Sequence, residues 1–390
     1  MNVLLLSQFL STTKGGGEYV FMLIAKLLAE SGNNVWIITS KMHGETYTPH
    51  KNVKIVFVPP LLDFKGGHPP NFKDNIIYSL CAVKKAVSII KKERIDIIHS
   101  NNLAPALAGA VLSILTSKPH VATVFDVFSL FKDYVKLWRK QENVSKLNAF
   151  LLPIFERLII RLKCSAIYTI SEASKDDLIK IGANKPIYVI DCAIDIQEVE
   201  NMVTAPCQFM YIGRLIFYKN LEVVIKALRI VKKSYPKVVL IIAGDGPQKN
   251  ILEKLVSELS LNDSVQFKGY ISEQEKKRLL CMSQAFIFPS LVEGFGLVIL
   301  KAFACKKPVL VSNVRPSSDI VEDKITGFVV SPDDENKWAE AIEQIIKEPE
   351  KAHKMGNAGR NILEKKYNVQ IMQNKILQMY REVIKPADEK

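Results

Sequence analysis

Short runs of apolar, often β-branched residues alternate with longer stretches of helical periodicity along nearly the whole chain, and this alternation constrains the fold most. The runs read VLLLS, VWIITS, VKIVFV, IDIIHS, HVATVF and AIYTIS in the first half, then QFMYIG, VVLIIAG, VQFKG, AFIFPS and PVLVS after position 207. Continuously apolar strands separated by helices are typical of parallel sheets that are covered on both faces. Two such series predict two doubly wound α/β domains.

The length of 390 residues suits two domains of common size, each with its own hydrophobic core. Regular periodicity lapses in IDCAIDIQEVENMVTAPCQ, residues 190–208, where Pro206 precedes a new strand. We therefore predict an N-terminal domain over 1–198 and a C-terminal domain over 199–368. We expect a last helix at 369–385 to pack back on the N-terminal domain.

An excess of basic residues, 53 Lys and Arg against 40 Asp and Glu, gives the chain a net charge of +13. Such a surface attracts anions, and the candidates are sugar nucleotides, phospholipid and nucleic acid. No aromatic ribonucleoprotein motif or recognition-helix pattern supports nucleic acid as a partner. The six cysteines include no CxxC pair and no His/Cys cluster of metal spacing, so we expect no metal site and a reducing cytoplasm.

Two stretches bear on export and on membrane insertion. The N-terminal MNVLLLSQFL has no basic stretch and no small-residue cleavage site, and we interpret it as a first strand. Residues 100–117, SNNLAPALAGAVLSILTS, are uncharged, but their polar ends and Pro105 leave too few apolar residues for a membrane span. A buried helix is predicted there.

The first glycine-rich turn lies in TTKGGGEYVFMLIAKLLAE, after the first strand. In doubly wound sheets, ligands bind where strands end and helix N-termini point their amides outward. Gly15, Gly16 and Gly17 would let the backbone approach a ligand closely, and Glu18 opens a helix. A flexible turn before a helix explains the same residues equally well.

Two strand-to-helix turns in the second half carry candidate phosphate contacts. After QFMYIG, which ends at Gly213, Arg214 and Lys219 flank a short connection where a guanidinium and an ammonium could clamp a pyrophosphate. A solvated loop is the alternative for these two residues. Gly244 and Gly246 make a tight turn after VVLIIA, for which a structural role and a ligand role are equally plausible.

A third turn follows the strand AFIFPS, in LVEGFGLVILKAF. Phe295, Gly296 and Leu297 open a helical pattern and could offer free backbone N–H groups to a phosphate. Glu293, just before them, is suited to accept hydrogen bonds from sugar hydroxyls.

Taken together, these motifs resemble the retaining glycosyltransferases of family 4 (glycosyl transferases group 1), whose GT-B fold has two Rossmann-like domains facing a cleft. The resemblance covers nearly the whole chain and lies in GGGE, YIGRLIFYKN, AGDGP, FKGYIS, FPSLVEGFGLVILKAFACKKPVLVS and TGFVV, in the family's order. It implies that a nucleotide sugar binds mainly to the C-terminal domain and that an acceptor lies toward the N-terminal domain. It also implies that neither a metal ion nor another cofactor is needed.

The resemblance implies roles for individual residues. Arg214 and Lys219 would contact the diphosphate and Glu293 would face the donor sugar, which makes these three the catalytic candidates. The donor-binding candidates are Gly16, Gly17, Gly213, Gly244, Gly246, Phe295, Gly296, Leu297 and Lys301. The candidates on the acceptor side are Gly15, Glu18, His99 and Asp126.

Two positions depart from the family's pattern. The family carries a second Glu eight residues after the first, where this chain has Lys301. That Glu usually accepts hydrogen bonds from the ribose, which an ammonium cannot do, although Lys301 could donate to a ribose oxygen or a phosphate. Many relatives also have a His before Asp126, where this chain has Phe125. These departures keep open a catalytically weak nucleotide-sugar-binding subunit that serves a partner enzyme.

His99, at the end of the strand IDIIHS, has two interpretations. It lies at the expected ligand edge of the sheet and could touch substrate. A hydrogen-bonded structural histidine is the alternative that the residue type favours.

The segment 127–163 holds eight Lys or Arg against three acids, interleaved with aromatic residues and Leu. Between Leu147 and Leu162, eight apolar residues form one stripe at helical spacing, with Pro153 as a kink, and core is the favoured interpretation of this stripe. The preceding LFKDYVKLWRKQ, residues 130–141, is shorter, more basic and aromatic, which is typical of an element at an anionic membrane surface.

These patterns together predict a metal-independent, retaining hexosyltransferase in the cytoplasm, peripheral on the inner face of the cell membrane. The expected donor is a nucleotide sugar, and the expected acceptor is a lipid-linked or cell-surface glycan. A soluble transferase that acts on a glucan or a free sugar is the alternative within the enzyme class.

Overall fold

The computed structural model describes residues 1–10, 16–42, 50–62, 72–127, 130, 146–196 and 202–385. The chain forms two compact units. The first contains most of the chain up to Cys192 together with the stretch from Val369, and the second runs from Ala193 to Asn368.

The first unit is built around a seven-stranded parallel sheet. In chain order its strands are β1 (Asn2–Leu6), β2 (Asn34–Met42), β3 (Val53–Leu62), β4 (Ile97–Ser100), β5 (His120–Thr123), β6 (Ala166–Thr169) and β7 (Ile187–Val189). They lie side by side as β3-β2-β1-β4-β5-β6-β7. The helices between them are α1 (Gly16–Glu30), α2 (Phe72–Lys92), α3 (Ala104–Thr116), α4 (Lys146–Ile159) and α5 (Glu172–Lys180).

The second unit repeats this plan with six parallel strands. They are β8 (Gln208–Ile212), β9 (Val239–Ala243), β10 (Val265–Gly269), β11 (Ala285–Phe288), β12 (Val309–Ser312) and β13 (Gly327–Val330), in the order β10-β9-β8-β11-β12-β13. The helices are α6 (Leu221–Ser234), α7 (Lys249–Glu258), α8 (Glu273–Met282), α9 (Leu297–Ala304), α10 (Ser317–Ile320), α11 (Glu335–Lys347) and α12 (Pro349–Lys366). A 3₁₀ helix, Phe217–Lys219, follows β8.

The predicted doubly wound fold is confirmed, since both sheets are parallel and each predicted apolar run contains a strand. Two strands were missed by the sequence pattern, β7 and β13. β7 has three residues and lies at the sheet edge with only half-buried side chains, so it produces no long apolar run. β13 begins with Gly327, a residue type that is depleted in strands.

Amphipathic packing positions the helices of the first unit. Helix α1 buries an apolar stripe made of Val20, Leu23, Ile24, Leu27 and Leu28. The last helix, α13 (Val369–Ile384), packs beside α1 in this unit. There the side-chain amide of Gln373 donates to the carbonyl of Leu27 at 2.8 Å.

The predicted helix within 100–117 is α3, and most of its residues up to Ser113 are buried. Ile114 and Leu115 near its C-terminal end are exposed. Across the part of the chain that the structure describes, no helix is long and apolar enough to span a membrane.

Each sheet reverses its winding direction once, between β1 and β4 in the first unit and between β8 and β11 in the second. Helices that leave the two neighbouring strands then lie on opposite faces, which opens a crevice beyond the carboxyl ends of those strands. The turns that follow β8 and β11 contain Arg214, Lys219 and Glu293. Topology alone therefore brings these side chains to one edge of the second sheet.

Backbone contacts between neighbouring turns explain two glycines of the second unit. A Cβ atom on Gly244, whose φ is +144°, would lie 1.9 Å from the carbonyl oxygen of Gly213. A Cβ on Gly246 would lie 2.4 Å from the carbonyl oxygen of Leu215. The amide of Leu215 in turn donates to the carbonyl of Asp245 at 2.9 Å. These glycines let the turn after β9 support the turn after β8, the structural role that the sequence left open.

We predict that Gly244→Ala lowers the unfolding free energy by at least about 2 kcal/mol, because the new methyl group must displace backbone and the left-handed φ adds strain. Gly269→Ala is the matched control, since its φ is +62° and a Cβ there meets nothing within 4 Å. Urea unfolding of both variants checks this. Equal losses of unfolding free energy in the two variants would contradict the role of backbone overlap at Gly244.

Candidate functional site

Two turns meet at the carboxyl edge of the second sheet. The amide of Leu291, in the turn after β11, donates to the carbonyl of Tyr218 in the 3₁₀ helix after β8 at 2.8 Å. The hydroxyl of Ser290 also points at this carbonyl, at 3.4 Å. The backbone thus fixes the distance between the Lys219 and Glu293 side chains, which the sequence separates by 74 residues.

Lys219 and Glu293 form an ion pair, with the ammonium donating to Oε1 of the carboxylate. Only 14% of the lysine side chain and 16% of the glutamate side chain are exposed. The Lys219 ammonium lies 5.3 Å from the ring centroids of both Tyr218 and Phe288, a range at which aromatic rings attract a cation. The pair is therefore held in place by its surroundings.

Arg214 lies at the start of the same turn and is half-buried. Its carbonyl accepts a hydrogen bond of 3.0 Å from the buried Tyr211 hydroxyl. Burial raises the pKa of Tyr211 well above its usual range, and the nearby Glu293 and Tyr218 raise it further, so this hydroxyl stays a donor. Tyr211 thereby anchors the backbone from which the Arg214 guanidinium extends.

The turn that follows Glu293 leads directly into α9. Gly296 is the N-cap residue of α9, with φ at +102°, and it provides no side-chain cap. The start of an uncapped helix presents unpaired amides and a positive dipole end, which together favour an anion. The Phe295 ring is buried at 5.7 Å from the Tyr367 ring, so this residue would meet a ligand through its backbone.

Lys301, one turn further along α9, has a protein partner. Its ammonium donates to Glu273 of α8 at 2.7 Å, and Lys276 donates to the other oxygen of the same carboxylate at 2.7 Å. Burial acts to raise the pKa of Glu273, but the hydrogen bonds from the two lysines outweigh it and lower the pKa. Glu273 thus lies beside Lys301, and the sequence analysis missed it because α8 otherwise resembles an ordinary polar surface helix.

In the first unit, two features singled out in the sequence touch each other. A Cβ on Gly17 would lie 2.9 Å from the Phe125 ring, so the start of α1 packs directly against Phe125, two residues after β5. Burial raises the pKa of the half-buried Glu18 to about 7, against a smaller lowering by a backbone hydrogen bond. Glu18 can therefore exchange a proton near neutral pH. Gly16 opens α1, whereas Gly15 lies outside the described residues.

His99 has the surroundings of a hydrogen-bonded structural histidine, the interpretation that its residue type favoured over contact with an acceptor. The ring is fully buried, and its two nitrogens bond the hydroxyls of Tyr380 at 2.6 Å and Thr123 at 2.7 Å. Burial and the neighbouring His120 lower its pKa to about 3, so the ring is neutral at pH 7. His99 links β4 to α13 within the first unit.

Asp126 is half-buried after β5. Burial raises the pKa of the Cys192 thiol most, and the carboxylates of Asp191 and Asp126 raise it further, so Asp126 lies near Cys192.

Asn101 and Asn102 follow β4 at the point where the sheet reverses, and the Asn101 amide donates to the Ser7 hydroxyl at 3.1 Å. The sequence analysis did not single out this pair of asparagines, although it directly follows an apolar strand.

Two further sequence predictions concern metals and membranes. In the described ranges, no group of three or more His, Cys, Asp or Glu residues is arranged to hold a metal ion. Most of the basic and aromatic stretch 130–141 lies outside the described residues.

Known families match both halves of the chain. The profile described as Glycosyltransferase Family 4 matches residues 14–198, and the one described as Glycosyl transferases group 1 matches residues 195–362. An uncharacterised glycosyltransferase of Methanocaldococcus jannaschii is 24% identical, with 88% of each chain covered. The capsular polysaccharide biosynthesis glycosyltransferase CapM of Staphylococcus aureus is 25% identical, over 82% of this chain and 86% of CapM.

A solved structure shows the same fold. HepE of Anabaena, determined in complex with UDP-glucose, superimposes with a TM-score of 0.73 at 20% identity, covering 98% of this chain and all of HepE. The two parallel-sheet units have the architecture of this neighbour, and the two profiles together extend from residue 14 to residue 362. The chain therefore belongs to the glycosyltransferases with the GT-B fold.

Proposed function

We propose that this protein is a retaining, metal-independent glycosyltransferase that moves a hexosyl unit from a nucleotide sugar to an acceptor hydroxyl. The observation that carries the proposal is the Lys219–Glu293 pair at the reversal point of the second sheet, beside the uncapped start of α9. HepE, with its UDP-glucose complex, supports a nucleotide sugar as the donor.

The cationic groups of this edge are suited to stabilise a departing diphosphate. An ammonium has three N–H donors, so Lys219 can bond Glu293 and keep two donors for phosphate oxygens. Arg214 would add a planar fork of donors, and the amides around Gly296 and Leu297 would add the positive end of α9. Donors held in place before the reaction favour charge that develops in the transition state, without a metal ion.

Glu293 would orient the donor sugar. A carboxylate only accepts hydrogen bonds, and its Oε2 can take a sugar hydroxyl while Oε1 holds Lys219. One residue would thereby set the distance between the sugar and the cation that meets its phosphate. Gly213, Gly244 and Gly246 would act indirectly, by keeping the supporting turns close together.

For the acceptor we propose a lipid-linked or cell-surface glycan, reached from the cytoplasmic face of the membrane. The name of CapM, a capsular polysaccharide biosynthesis enzyme, supports this class. Glu18, which titrates near neutral pH at the start of α1, would face the acceptor side.

We predict that Arg214→Ala and Lys219→Ala each lower turnover by roughly a hundredfold or more, because loss of one donor aimed at developing charge costs about 3 kcal/mol. Arg229→Ala and Lys226→Ala, on the exposed face of α6, are matched controls. Initial rates at saturating donor, with circular dichroism to verify folding, check this. If Arg214→Ala or Lys219→Ala keeps a near-full rate, that side chain does not stabilise the departing diphosphate. Donor binding without turnover in the wild type would indicate a binding subunit.

Lys301 is proposed to donate to the ribose or a phosphate while it is held by Glu273. Lys301→Gln should then weaken donor binding by about fivefold or more, the effect of losing one hydrogen bond from a charged group. Glu273→Gln, which removes the protein partner alone, should change donor binding much less. Calorimetric titration compares the two variants. Equal losses of donor affinity would mean that the Lys301–Glu273 ion pair only positions α9.

A further inference from the structure

The outer face of α4 contradicts the prediction that its apolar stripe is core. Phe150, Ile154 and Leu158 recur every four residues and are 68%, 51% and 45% exposed, whereas Ile159 and Ile160 are buried. The stripe is thus wide enough to cover two faces of the helix, of which one packs inward and the other points to solvent. Periodicity alone does not distinguish a core stripe from a stripe that extends onto the surface.

Basic residues lie on this outer face and just beyond it. Arg157 lies one helical turn after Ile154, Arg161 follows in the turn directly after the end of α4, and both are exposed. The acidic residue of α4, Glu156, is buried. The outer face therefore combines large apolar side chains with positive charge.

Helix α2 continues the surface. Its residues Phe72, Ile76 and Leu80 are also exposed at four-residue spacing, and the Phe72 ring lies 5.6 Å from the Phe155 ring of α4. Lys73 and Lys84 are exposed beside this row. Asp74 is the acidic residue of α2 and lies two residues after Phe72, about 200° around the helix and away from the row.

We propose that the α4–α2 face, formed by these exposed apolar and basic side chains of the two helices, docks onto an anionic lipid surface. A contiguous apolar patch on a soluble surface marks an interaction site. A helix that lies in a membrane interface combines an apolar face with Lys and Arg, which attract anionic headgroups. A symmetric dimer through this face would bring the arginines of two copies together, and neither helix has an outward acid to pair with them.

This surface lies entirely in the first unit and involves none of the residues proposed to bind the donor. It differs from the stretch 130–141 that the sequence suggested. Failure of membrane docking would leave the proposed transferase reaction unaffected, and the reverse also holds.

Sedimentation with vesicles tests the proposal on the full chain. Wild type should bind vesicles of equal parts phosphatidylglycerol and phosphatidylcholine, and pure phosphatidylcholine much less. Phe150→Ser with Ile154→Ser should weaken binding by about tenfold or more, through lost apolar burial. Arg157→Gln with Arg161→Gln should weaken binding to the anionic vesicles to a similar degree, roughly fivefold per arginine, and flatten its dependence on salt.

Matched controls come from the second unit, where Ile251 and Ile325 are exposed apolar residues and Arg229 and Lys365 are exposed cations. Ile251→Ser with Ile325→Ser, and Arg229→Gln with Lys365→Gln, should bind as wild type does. Equal binding by the α4 variants and the wild type overturns the proposal. A second outcome would also overturn it: the wild type is a dimer that does not bind vesicles, and Phe150→Ser with Ile154→Ser makes it a monomer. The face would then be an interface between copies.

Discussion

The ion pair between Lys219 and Glu293 is the interaction on which the carboxyl edge of the second sheet depends. Each residue lies on a turn that follows a different strand, and each is largely removed from water. Loss of either partner would leave a desolvated charge, which is more costly than the absence of both. Because the surrounding backbone hydrogen bonds and aromatic rings fix both turns, the pair can serve as a prepositioned contact for a charged ligand.

The same edge shows how one set of residues meets structural and chemical demands together. Gly244 and Gly246 allow the turn after β9 to pack against the turn after β8, and the Tyr211 hydroxyl donates a hydrogen bond to the Arg214 carbonyl. Glu273 of α8 balances the charge of Lys301 on α9. The position at which the sequence departs from the pattern that it resembles therefore has an acidic residue beside it in space.

Much of the fold could be predicted from the sequence, because parallel strands buried on both faces produce continuous apolar runs that are visible without neighbours. The location of Arg214, Lys219 and Glu293 at strand ends followed from the same runs. Their side-chain partners could not be predicted, since a pair 74 residues apart leaves no periodic signal. Likewise, the sequence places His99 at the ligand edge of its sheet, and only the structure shows that its ring bonds the hydroxyl of Tyr380, 281 residues later. The exposed half of the α4 stripe was missed because amphipathic spacing gives the direction of a face but not what covers it.

A double-mutant cycle on donor binding tests the central claim most directly. A thermal-shift screen first identifies the nucleotide sugar that stabilises the wild type, and calorimetry then compares the wild type, Lys219→Met, Glu293→Gln and the double variant. If the two side chains act as one unit, their effects on the binding free energy should couple by at least about 1 kcal/mol. Strictly additive effects, or a wild-type protein that binds no nucleotide sugar, would contradict the account.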